Sequence, residues 1–306
     1  MARHLLQRFL LTLPALWLVL TLVFLMIHIV PGDPVEQMLG EGAAPGEIVQ
    51  LRHALNLDQP LIVQYGHYLK ELVRGDLGQS FKFQAPVRRI IFERYPATLQ
   101  LAFCALLVCA AIAIPAGVLA AYRRGHAADR AVSLFTLFGL AFPNFALGPV
   151  LILFFSIYLG LLPVSGRGGL NYYILPAATL GAALAAILTR MVRGAMLEEL
   201  TSDYVRTARA KGLPLRAVLF RHALRNALIP IITILGLQFG TLLAGTIVTE
   251  TIFSWPGIGR LTVQAISARD YPLLQGCILV IAVSYVLVNL VTDILYAVID
   301  PRVRLA

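Results

Sequence analysis

The sequence predicts an all-α membrane protein built on six transmembrane helices. Three observations predict it. The chain is 58% hydrophobic and 13% charged, roughly half the charge content of an ordinary soluble domain. Its 306 residues cannot hide that much apolar surface in one core, so a bilayer must be the solvent. Six apolar runs approach or exceed the roughly 20 residues that a membrane-crossing helix needs. Arginines and lysines gather in alternate connecting segments, which is the asymmetry of membrane topology.

The first run, residues 9–30, is too long for a signal-peptide core and lacks a small-residue cleavage site, so it reads as a retained anchor. Pro31-Gly32-Asp33-Pro34 then stops the helix. Residues 31–95 carry seven basic and eight acidic side chains, the balanced mixture of a water-exposed surface. Ile62, Tyr65, Leu69 and Leu72 recur at helical spacing and Gly75 follows as a stop. Two short amphipathic helices are expected there, broken at Asp58-Gln59-Pro60. They can cap the helix ends, dock an outside partner, or do both.

The second run covers residues 97–121 and the third 131–159, where Pro143 and Pro149 predict a kink or break. The fourth, 173–192, is crowded with Ala177, Ala178, Gly181, Ala182, Ala183, Ala185 and Ala186, small residues that let helix backbones approach in lipid. Runs 228–249 and 276–299 complete the set. The domain division is therefore an anchor (1–30), an extracytoplasmic segment (31–95) and a five-helix core (96–300) that contains a basic loop at 193–227.

Counting basic residues orients the chain. Arg3 and Arg8, then Arg123, Arg124 and Arg130, then seven residues from Arg193 onward, then Arg302 and Arg304 mark one side. Only Arg167, Arg260 and Arg269 mark the loops opposite. Both termini are expected in the cytoplasm. The net charge of +9 lies in loops between apolar runs, so its partner is the bilayer and not nucleic acid.

Much chemistry is excluded. None of the three lysines, Lys70, Lys82 and Lys211, stands in a phosphate-loop pattern, and no HExxH or G-x-S-x-G occurs. Cys104, Cys109 and Cys277 lie in apolar runs without metal spacing and read as small buried hydrophobes. No metal site, catalytic residue or cofactor of its own is expected. Candidates for a translocation path are the polar Asn144, Gln238 and Asn289 and the ionisable Asp293. Each either lines a pathway or serves a neighbouring helix, and Asp293 can simply sit near the cytoplasmic interface. His28 and Glu250 lie at span edges.

The segment DYVRTARAKGLPLRAVLFRHALRN, residues 203–226, holds six basic residues and one acid. Ser202 or Asp203 is placed to cap a short helix, with Arg209 and Lys211 near its carboxyl end. Gly212 ends that helix and Pro214 begins another, whose apolar stripe is Leu215, Val218, Leu219 and Ala223. Arg221 and Arg225 share a different face. The outcome is a stiff cationic elbow, which can transmit a push where a floppy loop cannot.

This elbow resembles the cytoplasmic coupling loop, or EAA loop, of ABC importer permeases. The pattern is Glu-Ala-Ala, three residues, then Gly. Here Arg206-Thr207-Ala208 precedes Gly212, so Arg206 replaces the Glu. The wording DYVRTARAKG followed by RHALRNALIP is similar to the dipeptide, oligopeptide, glutathione and nickel importers. PGDP (31–34), LDQPL (57–61), GDLGQSF (75–81), PATLQLA (96–102), YILPAATLG (173–181), FSWPGIGRL (253–261) and RDYPLLQ (269–275) extend the resemblance over nearly the whole chain.

The resemblance implies a type I ABC importer permease fold in a bacterial inner membrane, translocating di- or oligopeptides, glutathione among them. It implies a second similar permease, two ATPase subunits that bind ATP and Mg, and an extracytoplasmic solute-binding protein received by residues 31–95 or by the loop at 251–275. It makes Arg206, Ala208, Arg209, Lys211, Gly212, Leu213 and Arg216 the candidate ATPase-coupling residues. By the resemblance, Ala208 and Gly212 would lie in the ATPase groove; placing the basic Arg206, Arg209, Lys211 and Arg216 at its rim is our inference from their charge. A nickel-chelate importer is the alternative within the family. A stand-alone carrier would show more intramembrane charges and an inverted repeat, and an intramembrane enzyme would show a convergent nucleophile and base.

Overall fold

A computed structural model describes residues 2–29, 35, 44–54, 57–141 and 143–299. The motif at 31–34 and the arginines at 302 and 304 lie outside the described residues, as do the side chains of Arg3, Arg8 and His28. The chain runs α1 (Ala2–Ile29), α2 (Pro45–Ala54), α3 (Leu61–Val73), a two-stranded antiparallel hairpin of β1 (Gln79–Ser80) and β2 (Ala85–Pro86), and α4 (Val87–Tyr122). It continues through α5 (Ala127–Ala141), α6 (Asn144–Leu151) with π-helical turns at Ile152–Tyr158, α7 (Asn171–Leu200) and α8 (Asp203–Ala210). A second π-helical stretch, Ala217–Ala223, leads into α9 (Leu224–Gly245), followed by α10 (Ile247–Ile252), α11 (Ile258–Ser267) and α12 (Tyr271–Ile299).

Among the described residues, four stretches are long and apolar enough to cross a membrane unaided: Val87–Tyr122, Asn171–Leu200, Ala217–Gly245 and Tyr271–Leu295. The first helix carries a shorter apolar stretch, Thr12–Leu25. The third expected span is divided, because Pro143 has no N–H to continue a helix and stands at the N-cap of α6. α4 begins at Val87, inside the segment assigned from sequence to the exterior. The fifth expected span ends at Gly245, and Glu250 belongs to the separate short α10.

Small residues set the helix packing. A Cβ on Gly181 of α7 would stand 2.6 Å from the Ala105 carbonyl oxygen of α4. One on Gly117 of α4 would stand 2.6 Å from the Val192 side chain, and one on Gly139 of α5 would stand 2.9 Å from Ala186. Such close backbones gain dispersion contact where lipid offers no hydrophobic drive between helices. The outward faces stay apolar, as with Phe103 (56% exposed) and Phe138 (73%), surfaces that only lipid or another apolar helix covers without cost.

The two short outer helices form where expected, and Gly75 (φ +74) ends α3 in the left-handed conformation that suits glycine. The face differs in one residue. Ile62 is 85% exposed, and α3 is instead anchored by buried Gln64 and by Tyr65 and Tyr68, whose rings lie 5.1 and 5.6 Å from that of Phe24 on α1. Gln64 Nε2 donates to the Gln59 carbonyl at 2.7 Å, so a polar side chain takes the position that apolar periodicity assigned to its neighbours.

Candidate functional site

Polar chemistry concentrates at two ends of the bundle. At one end the elbow is built on α8, whose Val205 and Ala208 are buried against Val218, Leu219, Ala223 and Met196. Ala208 is small because it packs inward on its own chain. Gly212 has φ +75, and its N–H bonds the Arg209 carbonyl at 2.9 Å, while Leu213 N–H reaches the Ala208 carbonyl at 3.4 Å. Space is not the constraint there, since a Cβ would meet nothing within 4 Å; the backbone conformation is.

Ser202 stands at the N-cap with no side-chain cap bond; its hydroxyl donates back to the Glu199 carbonyl at 2.6 Å. Asp203 lies 3.5 Å from Arg206, an exposed pair that contributes little. The second half of the elbow is π-helical at Ala217–Ala223 where a simple helix was expected, and Leu215 is 43% exposed rather than part of the buried stripe. Arg206, Arg209, Lys211, Gly212, Leu213, Arg216, Arg221 and Arg225 are all exposed, with Phe220 54% exposed among them. The elbow therefore offers a surface of cations around apolar side chains, on a base tied into the bundle.

Sequence reasoning missed a partly buried ion pair at this end. Arg193 on α7 donates to both carboxylate oxygens of Asp129 on α5, at 2.7 and 2.9 Å, and the Gly125 N–H adds a third bond at 2.9 Å. The guanidinium and the amide hold the Asp129 carboxyl down at about 2, well below the usual carboxylate range. Beside the pair lies a cavity of about 260 Å³ between α5 and α7, walled by Val132, Thr136, Leu137 and Thr189.

The opposite end gathers the other motifs. Trp255 is fully buried, and its indole N–H donates to the Ala97 carbonyl at 3.0 Å. Glu250, also fully buried, accepts from Thr98 Oγ1 (2.6 Å), Thr246 Oγ1 (3.1 Å) and the Arg260 N–H (2.9 Å). Thr98 in turn accepts from the Ile258 N–H at 2.9 Å. The glycines of the 253–261 motif now have a reason: a Cβ on Gly257 would overlap the Glu250 carboxyl, and one on Gly259 would stand 2.8 Å from the Ile247 Cα. Asp270 joins the hairpin to α12, accepting from Ser80 Oγ (2.5 Å) and the Lys82 N–H (3.1 Å). The motifs at 96–102 and 253–261, and those at 75–81 and 269–275, are thus partners in space. Two acids near helix ends, Glu250 and Asp270, were their only signal in the sequence.

The path candidates do not form one cluster. Gln238 bridges α9 to its neighbours, donating to the Leu184 carbonyl at 3.3 Å and accepting from Cys109 Sγ at 3.5 Å. The Asn289 Oδ1 is buried without a partner and would lie 3.2 Å from a Cβ on Gly240. Asp293 is half-buried one turn further along α12. The side chain of Asn144 lies outside the described residues.

Residues 113–305 match the family described as binding-protein-dependent transport system inner membrane component, and residues 1–102 match its N-terminal counterpart. The chain is 44% identical over 304 residues, 99% of each chain, to the glutathione transport system permease protein GsiC of Escherichia coli O6:H1 (strain CFT073). It is 42% identical over the same length to GsiC of Salmonella choleraesuis (strain SC-B67). Among solved structures, an inward-facing form of the MetNI methionine ABC transporter aligns with a TM-score of 0.58 at 19% identity, covering 69% of this chain and 96% of that one. That likeness concerns the fold.

Proposed function

This chain belongs to the family of binding-protein-dependent transport system inner membrane components, and from that premise we propose that it is the permease subunit of an ATP-driven importer of short peptides, glutathione foremost. It is a multi-pass inner-membrane transport component. Glutathione is favoured over nickel because both relatives above are glutathione permeases matched end to end. A second permease forms the path with it, two ATPase subunits bind ATP and Mg, and an extracytoplasmic binding protein delivers the solute. Both termini lie in the cytoplasm, so that residues 31–95 and the Trp255 end face outward and the elbow faces inward. The chain itself performs no catalysis.

The observation that carries the coupling role is the elbow's surface. Arg206, Arg209, Lys211 and Arg216 are exposed together with Leu213 and Leu215 within eleven residues of chain, while Val205 and Ala208 fasten the same helix to the bundle. A partner pressing on that surface moves α7 and α9 rather than a loop. Ala208 contributes by packing inward, and Gly212 by allowing the turn.

Purification of the tagged chain from gently solubilised native membranes is expected to bring down a second permease and two ATPases in near-equal amounts. The reconstituted assembly should take up glutathione only with ATP and binding protein. Gly212→Arg, forced into a left-handed backbone inside the coupling surface, should abolish uptake while the chain still reaches the membrane. Uptake by the chain alone without an ATPase, or normal uptake by Gly212→Arg, would defeat this reading.

A further inference from the structure

The geometry points to a carboxylate-recognition site for the transported solute, built around Arg167 at the Trp255 end; this rests on the importer reading above. The loop before α7 is fixed first. Its Gly166 (φ +100) donates its N–H to the Phe253 carbonyl at 2.9 Å, joining it to the segment that carries Trp255. Arg167 then lies with its guanidinium carbon 5.9 Å from the centre of the Trp255 ring. One of its terminal nitrogens donates to Gln100 Oε1 at 2.6 Å. The same oxygen accepts from the Tyr173 hydroxyl at 2.9 Å, and the Tyr173 ring meets Trp255 edge-on at 4.7 Å.

Arg167 is thus oriented by one amide oxygen and one aromatic face, and neither neutralises it. Among the described residues no carboxylate lies within 4.0 Å of its nitrogens. The ion pairs that do occur show the contrast: Arg193 is satisfied by Asp129, whereas Arg167 is exposed and keeps its remaining N–H groups available. A planar cation with a fixed orientation and no counter-ion is the arrangement that receives a carboxylate in two parallel hydrogen bonds.

Position selects the source of that carboxylate. The hairpin and α11 pack against the first turns of α4, at Val87, Ile90 and Ile91. Gln100 lies thirteen residues beyond Val87, roughly 20 Å along the helix axis. Gln100 belongs to the long apolar helix Val87–Tyr122 and stands level with the start of α11, where the Ile258 N–H bonds Thr98; a small solute reaches that level more readily than a docked protein surface does. Gln100 is also an exposed polar residue one turn before the lipid-facing Phe103, so it marks where that apolar surface gives way to polar groups. The ligand class is a small solute with a free carboxylate, such as the terminus of a short peptide.

The test uses the assembled transporter in proteoliposomes with its binding protein and reduced glutathione as the probe, measuring uptake and ATP hydrolysis together. Absence of ATP-dependent uptake by the unaltered assembly would defeat the importer reading and not this site. Given uptake, Arg167→Gln should lower glutathione moved per ATP about tenfold, the order of one charge-assisted hydrogen bond. Arg167→Lys should fall between the two. Gln100→Glu keeps Arg167 but supplies an internal carboxylate, and it should reproduce the loss even if Arg167→Gln fails to accumulate. An unchanged ratio in both variants would overturn the proposal. So would uptake and hydrolysis falling in step, which would assign Arg167 to docking of the binding protein.

Discussion

Gly257 and Glu250 give the sharpest test of the packing at the Trp255 end. Gly257 has φ −100, an ordinary value, so an alanine there suffers no backbone strain. Its methyl, however, lands on the Glu250 carboxyl. Overpacking of this kind costs about 1–3 kcal/mol. Glu250→Ala has a separate cost, because it removes the acceptor of the Thr98 and Thr246 hydroxyls and of the Arg260 N–H, about 1–3 kcal/mol for each group left buried and unpaired. Combining the two removes the clash, since the carboxyl is gone. The double variant should then be more stable than the sum of the single losses by at least about 1 kcal/mol, well outside the 0.3–0.5 kcal/mol scatter of independent sites. Thermal unfolding in detergent, followed by tryptophan fluorescence, is a suitable assay because Trp255 is buried beside the network. At roughly 2–4 °C per kcal/mol, the coupling is measurable. Additive midpoint shifts would refute the inference that Glu250 occupies the space Gly257 leaves.

Three further outcomes follow from the same geometry. Asp129→Asn should cost about 1–3 kcal/mol at neutral pH by leaving Arg193 uncompensated, and the gap from the parent should close as pH falls. The sign follows from the carboxyl being held down at about 2 instead of 3.8: its stabilisation is complete above 3.8 and lost as pH drops through about 2, so midpoints measured from pH 5 to 2 check it. Gly181→Ala drives a methyl to 2.6 Å from the Ala105 carbonyl. The α4–α7 pair must separate, and a loss above about 1 kcal/mol should appear in the unfolding midpoint. Arg269 has φ +54 just beyond the C-cap of α11, where glycine is favoured. Arg269→Gly should therefore raise stability by up to about 1 kcal/mol, read as a midpoint increase.

Four of the six apolar runs were readable as spans because lipid exposure demands long uninterrupted hydrophobicity, and the elbow because Gly212 and Pro214 are strong local punctuation. What was not readable depends on contacts between distant residues. Glu250 and Thr98 are 152 positions apart, and Ser80 and Asp270 are 190 apart. No local period records either pair. The start of α4 at Val87 was missed for a related reason: Arg88, Arg89, Glu93 and Arg94 look like an aqueous segment, yet Val87, Ile90 and Ile91 on the other face are buried under α11. Ala208 was placed at a partner's groove by the family resemblance, and its inward packing against Val205, Val218 and Ala223 could not be read from the sequence. Small residues allow close approach on either side, and a local pattern does not say which.

α7 connects the two ends in one piece. Its thirty residues span about 45 Å, more than the hydrocarbon thickness of a bilayer. Its only proline, Pro176, lies near the start, so no proline interrupts the remainder. At the beginning, Tyr173 touches both Gln100 and Trp255. Toward the other end, Arg193 is locked to Asp129, and Met196 packs against the base of the elbow. Close contact with α4, at Gly181 and Gly117, makes bending this rod costly along much of its length. A displacement of the elbow therefore reaches the Trp255 cluster as a tilt or translation of a single helix, with no chain of side-chain rearrangements required. Wedging α7 away from α4 with Gly181→Ala should weaken that transmission as well as the fold, so it should lower solute moved per ATP where Asp129→Asn, at the elbow end alone, lowers mainly the response to the ATPase.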